Sequence, residues 1–145
     1  MPRPRKPNVA AEHGDWGENV AVEQLRLEGL VVLERNARPC RKDRRVEIDI
    51  IAYDRRYDLI VFVEVKQHKR RSPYQRRLRS ITRRKLELLH RGCRTWLLKN
   101  RWGGAYRFDV IEIYGTPEAP AKVETDHIRH VRLFSDEERF VNWEE

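Results

Sequence analysis

The sequence predicts a single α/β domain, a mixed sheet flanked by helices with elements in the order α-β-β-β-α-β. Three observations carry that prediction. Two segments repeat apolar residues at helical spacing, one near the start and one after residue 80. Between them lie short runs rich in β-branched residues, two of which are joined by a brief polar turn. A chain of 145 residues that is 39% hydrophobic is enough for one small domain core.

The elements follow in order. Residues 1–11 hold Pro2, Pro4 and Pro7 among Arg3, Arg5 and Lys6, and read as a flexible basic arm. Glu18, Ala21, Val22, Leu25 and Gly29 then share one helical stripe, with Asp15 expected as N-cap and Gly29 as stop. Residues 30–33 make a short strand, and residues 34–45, with Asn36, Pro39 and six basic side chains, read as a loop. Residues 46–52 alternate apolar and acidic, residues 54–58 form a turn, and residues 59–66 are apolar enough for the centre of a sheet. Ile81, Leu88, Leu89, Cys93, Trp96 and Leu97 place one long helix over residues 80–100. Gly92 inside it costs about 1 kcal/mol. Strands at 107–114 and 128–134 complete the sheet, so the domain spans 12–134 and residues 135–145 are an acidic tail.

Charge narrows the function. Lys and Arg number 31 against 23 Asp and Glu, a net charge of +8 that favours a polyanionic partner, most simply nucleic acid. No apolar run is long enough to span a membrane, and none follows the basic N-terminus as a secretory signal requires. The expected location is the cytoplasm, with no membrane partner. Cys40 and Cys93 form no CxxC pair, which excludes a disulfide scaffold and a four-Cys zinc site. Asp126-His127-x-x-His130 holds ligand-type residues, but on a strand the two imidazoles diverge, so zinc is not expected there. No Walker loop, Rossmann glycine pattern or nucleophile elbow is present.

The chemistry concentrates in the acidic hairpin. A turn centred between Arg56 and Tyr57 sets Asp49 directly opposite Glu64, whereas a slip of one residue would put them on opposite faces. Facing carboxylates repel and lose solvation unless a cation lies between them. A hard divalent ion such as Mg²⁺ suits them, because it needs few carboxylates and completes its shell with water and phosphate oxygens. Lys66, two residues beyond Glu64, shares its face and is placed to orient a water or meet charge developing on phosphorus. The competing reading is a cross-strand salt-bridge patch on a solvated face. Against it, Glu64 interrupts the apolar run Phe62-Val63-Val65. Glu18, on the buried helical stripe, is either a further ligand or the second half of an Asp15-x-x-Glu18 capping box.

A basic belt begins at Lys66. Residues 66–101 carry 14 of the basic residues and a single acid, Glu87. Lys69, Arg70, Arg71, Arg76, Arg77, Arg83, Arg84 and Lys85 are the expected phosphate contacts, with Tyr74 and Trp102 available to stack on unpaired bases.

Five motifs occur in order: Gly14…Gly17-Glu18…Ala21…Leu25…Gly29, Arg35-Asn36…Arg38, Glu47-Ile48-Asp49-Ile50-Ile51-Ala52-Tyr53-Asp54, Val61-Phe62-Val63-Glu64-Val65-Lys66, and Arg107-Phe108-Asp109-Val110-Ile111. Together they resemble the YraN family of small bacterial proteins, assigned to the restriction-endonuclease-like superfamily with the PD-(D/E)XK signature and related to Holliday-junction resolvases. The resemblance covers residues 12–133. It implies a restriction-endonuclease-like mixed β-sheet flanked by helices. It also implies Mg²⁺- or Mn²⁺-dependent cleavage of DNA, branched or single-stranded. Asp49 would be the signature Asp, Glu64 and Lys66 the (D/E)XK pair, and Glu18 the first-helix acid. The Val65 carbonyl would join Asp49, Glu64 and Glu18 around the metal. Resolvases of this kind act as symmetric dimers, so a homodimer is an expectation too. The chain departs from the family pattern at Val46, where Gly is usual, at Gln67-His68 in place of Thr-Arg, and at Lys85-Leu86 in place of Lys-Gln. A binding protein on a degenerate nuclease fold is the alternative.

Overall fold

The computed structural model describes residues 9–71 and 81–133. Two helices sandwich a five-stranded mixed sheet. The elements run α1 (Val9–Leu27), β1 (Val31–Ala37), β2 (Ile48–Asp54), β3 (Leu59–His68), α2 (Arg83–Lys99), β4 (Ala105–Tyr114), a 3₁₀ turn (Pro120–Lys122) and β5 (Glu124–Ile128). The strands lie in sequence order across the sheet, all antiparallel except the β3–β4 pair, whose parallel connection is the α2 crossover.

Alternation along the central strands feeds two cores. Val61 and Val63 of β3, Ile50 and Ala52 of β2 and Ile111 and Ile113 of β4 face α1, meeting Ala21, Val22 and Leu25. Ile60 and Phe62, with Ile51, Phe108 and Val110, face α2, meeting Leu89, Cys93, Trp96 and Leu97. β3 is covered on both faces, which is why it reads as a continuous apolar run.

α1 begins at Val9, so part of the expected arm is helical and Asp15 lies inside the helix instead of capping it. The Asp15–Glu18 capping box is therefore not formed. The expected stop is correct. Gly29 takes φ +86°, and the amide of Leu30 donates to the Leu25 carbonyl at 2.9 Å, closing the C-terminus in the way a left-handed residue permits. α2 starts at Arg83, where the Thr82 hydroxyl accepts from the Lys85 amide at 3.2 Å.

Two strands differ from expectation for physical reasons. β1 continues through Ala37, into residues whose polarity suggested a loop. A bulge between Val32 and Glu34 keeps it paired, and the Trp96 indole N–H donates to Glu34 at 3.0 Å, tying this edge strand to α2. Among the described residues the last strand is Glu124–Ile128, where 128–134 was expected. His130 at φ 57° interrupts the ladder, although the Val131 amide still donates to the Phe108 carbonyl at 2.8 Å, and an edge strand whose side chains make ion pairs carries no apolar signature.

Gly92 has a packing role. A Cβ there would lie 2.6 Å from Val46 Cγ1, so the bare backbone of α2 makes room for the Val46 side chain. Among the described residues no helix is long and apolar enough to cross a membrane.

Candidate active site

The β2–β3 ladder has the expected register, with Ile50 opposite Val63 and Asp54 opposite Leu59. Continued one step, it sets Asp49 against Glu64 on the face covered by α2. The Val65 amide donates to Asp49 Oδ2 at 2.8 Å. Because the N–H and C=O of a strand residue leave by the same edge, the Val65 carbonyl also faces Asp49. Glu64 is 3% exposed. Its Oε1 lies 3.4 Å from Lys66 Nζ and 3.6 Å from Lys85 Nζ, while Oε2 is buried with no hydrogen-bond partner. Burial, and next the Glu64 charge, push the Asp49 carboxyl up to about 7; the Val65 N–H bond and the Lys85 charge oppose the shift.

Lys85 is the first surprise. Expected in the phosphate-binding belt, it stands instead over Glu64. The signal was legible: Lys85 precedes Leu89 by one turn on the stripe that continues through Cys93 and Trp96, the buried side of α2. The second is Glu112, 1% exposed and in register with Lys66 on β4. It accepts from the Tyr114 hydroxyl at 3.0 Å, and His68 Nε2 lies 3.6 Å away. The carboxylate row thus extends across three strands, from Asp49 through Glu64 to Glu112.

Glu18 reaches the same region by a different route. A side chain at Gly17 would put its Cβ 2.3 Å from Gln67 Oε1, so glycine brings α1 close to the end of β3. Burial raises the Glu18 carboxyl, the Arg35 bond opposes the rise, and the Asp49 charge adds to it. Glu18 Oε1 accepts from Arg35 Nε at 2.8 Å and Asn36 Nδ2 at 3.0 Å. Both bonds use Oε1, so they fix the carboxylate beside Arg35 and Asn36 without engaging Oε2. No three His, Cys, Asp or Glu side chains converge as a metal-binding group among the described residues. What is present still fits a hard divalent cation: two opposed carboxylates, one buried oxygen lacking a donor, and a strand carbonyl.

The belt divides. Lys69, Arg70 and Arg71 extend from β3, but Arg71 is anchored by Glu124 and Asp126, at 3.1 and 3.0 Å, and lies 4.2 Å over the Tyr114 ring. Arg83 pairs with Glu87 at 3.5 Å, largely exposed, and Arg84 is exposed beside it. Arg76, Arg77 and Tyr74 lie outside the described residues. Trp102 donates its indole N–H to the Ala105 carbonyl at 2.9 Å and packs edge-on against Tyr53, so it braces the core. His127 meets Glu28 at 2.6 Å through Nδ1 and Asp109 at 2.8 Å through Nε2, so both ring nitrogens are engaged by carboxylates.

An α/β sandwich with paired carboxylates and a lysine on the central hairpin is the arrangement expected of a restriction-endonuclease-like fold. Residues 17–113 match the family described as "Uncharacterised protein family UPF0102", the YraN family, and the chain belongs to it. It is 40% identical over 114 residues to the UPF0102 protein of Trichlorobacter lovleyi, covering 78% of this chain and 84% of that one. It is 36% identical over 129 residues to the UPF0102 protein of Mycobacterium bovis, covering 87% and 96%. A Clostridium botulinum UPF0102 protein is 36% identical over 102 residues, covering 69% and 77%.

Proposed function

We propose that this protein is a metal-dependent nuclease that hydrolyses phosphodiester bonds in DNA, branched or single-stranded, in the cytoplasm. The observation that carries the reading is the pairing of half-buried Asp49 with buried Glu64, one of whose oxygens has no donor. Such an arrangement is costly unless a cation completes it. Asp49, Glu64 and the Val65 carbonyl would hold Mg²⁺ or Mn²⁺, with Glu18 a further ligand through the oxygen that Arg35 and Asn36 do not engage. When bound, the ion supplies Lewis acidity and neutralises charge at the phosphate. Lys66, two residues past Glu64 and a quarter exposed, positions the attacking water and meets the charge that grows on phosphorus. Lys69, Arg70, Arg83 and Arg84 hold backbone phosphates without reading bases.

One observation favours a second reading. Two lysines on Glu64 Oε1 supply positive charge of the kind a metal would bring. On that reading the protein binds nucleic acid on a degenerate nuclease fold and does not cleave it.

A cleavage assay separates the two. Duplex, flap, single-stranded and four-way-junction DNA are incubated with Mg²⁺, Mn²⁺ or EDTA, with sedimentation to test for a homodimer. Metal-dependent cleavage of at least one substrate supports the nuclease. Salt-sensitive binding of all of them with no cleavage in either metal supports the binding protein.

A further inference from the structure

Residues 38–45, between β1 and β2, hold five Lys or Arg and one acid, Asp43. The structure docks this loop along one stripe of α2, at Arg91, Thr95 and Lys99, each one helical turn from the next. Lys99 Nζ donates to the Pro39 carbonyl, the Cys40 thiol donates to Thr95 Oγ1 at 3.5 Å, and Arg91 Nη2 donates to Asp43 Oδ2 at 2.7 Å. Asp43 also accepts from the Arg45 amide at 3.1 Å and from Arg45 Nε at 2.9 Å. The loop's one acid is thus engaged in shaping the loop and holding it on the helix. Arg41, Lys42 and Arg44 are left exposed, and none of the three makes an ion pair among the described residues.

The loop is joined to the candidate active site by further cations. Arg45 and Arg91 line a cleft of about 320 Å³ with Arg84, Glu87 and Leu88. Arg84 adjoins Lys85, whose ammonium stands 3.6 Å from Glu64. Positive charge therefore continues from Glu64 along α2, through Arg84 and the cleft, to the loop. The acids on this path are paired: Asp43 with Arg45 and Arg91, and Glu87 with Arg83 at 3.5 Å. From Lys85 to Thr95 the helix rises about 15 Å. One strand of a duplex carries a phosphate every ~3.4 Å, so the path matches about four or five phosphates.

We infer that the β1–β2 loop is a second phosphate-binding surface, on which Arg41, Lys42 and Arg44 hold the DNA backbone where it leaves the Asp49–Glu64 pair along α2. In strand order the loop lies on the β1 side of that pair, whereas Lys69 and Arg70 line a hollow with Tyr114 and Lys122 toward β4 and β5. DNA is held on both sides of the scissile phosphate, an arrangement suited to cleavage within a strand. An acidic protein segment would meet the charge but offers no regular row of anions to follow a rigid helix. The inference deepens the proposed function and rests on it for the place where the bond is cut.

Fluorescence anisotropy on the full chain in EDTA tests the loop apart from cleavage, using a labelled duplex of about 20 base pairs and salt from about 50 to 200 mM. Arg41→Gln/Lys42→Gln should weaken binding about fivefold or more. It should also flatten the slope of log K against log salt by about 1–2, because each lost phosphate contact removes ~0.9. Arg26→Gln/Arg55→Gln removes the same charge at the opposite end of the sheet, where α1 ends and β2 turns into β3, and should change affinity by less than about twofold. If the double loop variant melts early, Lys42→Gln alone decides, with about half the change in slope. The inference is overturned if the folded loop variant binds no worse than the control, or if polyglutamate competes as well as DNA at equal charge. Weakened binding by the loop variant, with no cleavage by wild type in Mg²⁺ or Mn²⁺, would keep the surface and overturn the nuclease. Cleavage by wild type with unchanged binding by the loop variant would do the reverse.

Discussion

The two faces of the same sheet treat carboxylates in opposite ways. On the face toward α1, Asp109 is fully buried and fully engaged: it accepts from Arg107 at 3.1 Å, from the His130 amide at 3.1 Å, and meets His127 at 2.8 Å, which in turn holds Glu28. On the face toward α2, one register step away, Asp49 and Glu64 face each other, and one Glu64 oxygen has no donor. What differs is compensation: Asp109 sits in a closed network of opposite charges, whereas Asp49 and Glu64 are an acidic pair that two lysines balance only in part. A closed network holds a fold together, whereas an open one has affinity left for something else.

That contrast can be broken on either face. The largest effect is expected from Asp49→Ala, which should remove cleavage below detection on every substrate while DNA affinity stays near wild type, as gel-shift and cleavage assays on one preparation will show. Asp109→Ala should do the reverse. It strands the buried Arg107 and should cost about 3–5 kcal/mol of stability in urea unfolding, the usual penalty for breaking a buried ion pair. A loss under 1 kcal/mol would mean that the network is not what holds this face.

Lys66→Ala should slow single-turnover cleavage by about 10²–10³, since its contact strengthens as charge develops, with Mn²⁺ binding retained. Lys66→Arg should not restore the rate, because a planar guanidinium presents its donors differently from an ammonium. Gly92→Ala should lower stability by about 1–3 kcal/mol, through overpacking against Val46, and Val46→Ala in the same chain should recover most of the loss. A double-mutant cycle in urea reads the coupling.

The smallest effect is on pH dependence. The folded-state pKa of Asp49 is raised to about 7 from an ordinary 3.8, so the folded protein keeps a proton that the unfolded chain has released. The stability this proton confers is fully present below the ordinary value and is lost as pH rises toward 7. In EDTA, the wild-type melting temperature should therefore fall by a few degrees more than that of Asp49→Asn between pH 5 and pH 8. Parallel curves would place Asp49 in a solvated setting.

Legibility in the sequence followed the same physics. The hairpin register was readable because residues 54–58 leave little freedom in the turn, and register was enough to bring Asp49 to Glu64. Residues that act across layers were harder. Lys85 looked like one of many basic residues until helix phase put it over Glu64, and Glu112 lay in a strand whose pairing with β3 depends on a crossover. Glu18 was placed near the right neighbours, but its capture by Arg35 and Asn36 depends on β1 continuing through a stretch composed like a loop. β5 was misplaced because an edge strand stabilised by ion pairs has no apolar period to find.

The central claim is that Asp49 and Glu64 form a cation site, and Mn²⁺ titration calorimetry tests it most directly. One Mn²⁺ should bind wild type and Lys66→Ala with comparable heats, Asp49→Ala and Glu64→Ala should show none, and all four proteins should melt as folded domains. Equal Mn²⁺ heats in wild type and folded Asp49→Ala, or none in wild type, would contradict the account and leave the lysines as the only counter-charge of Glu64.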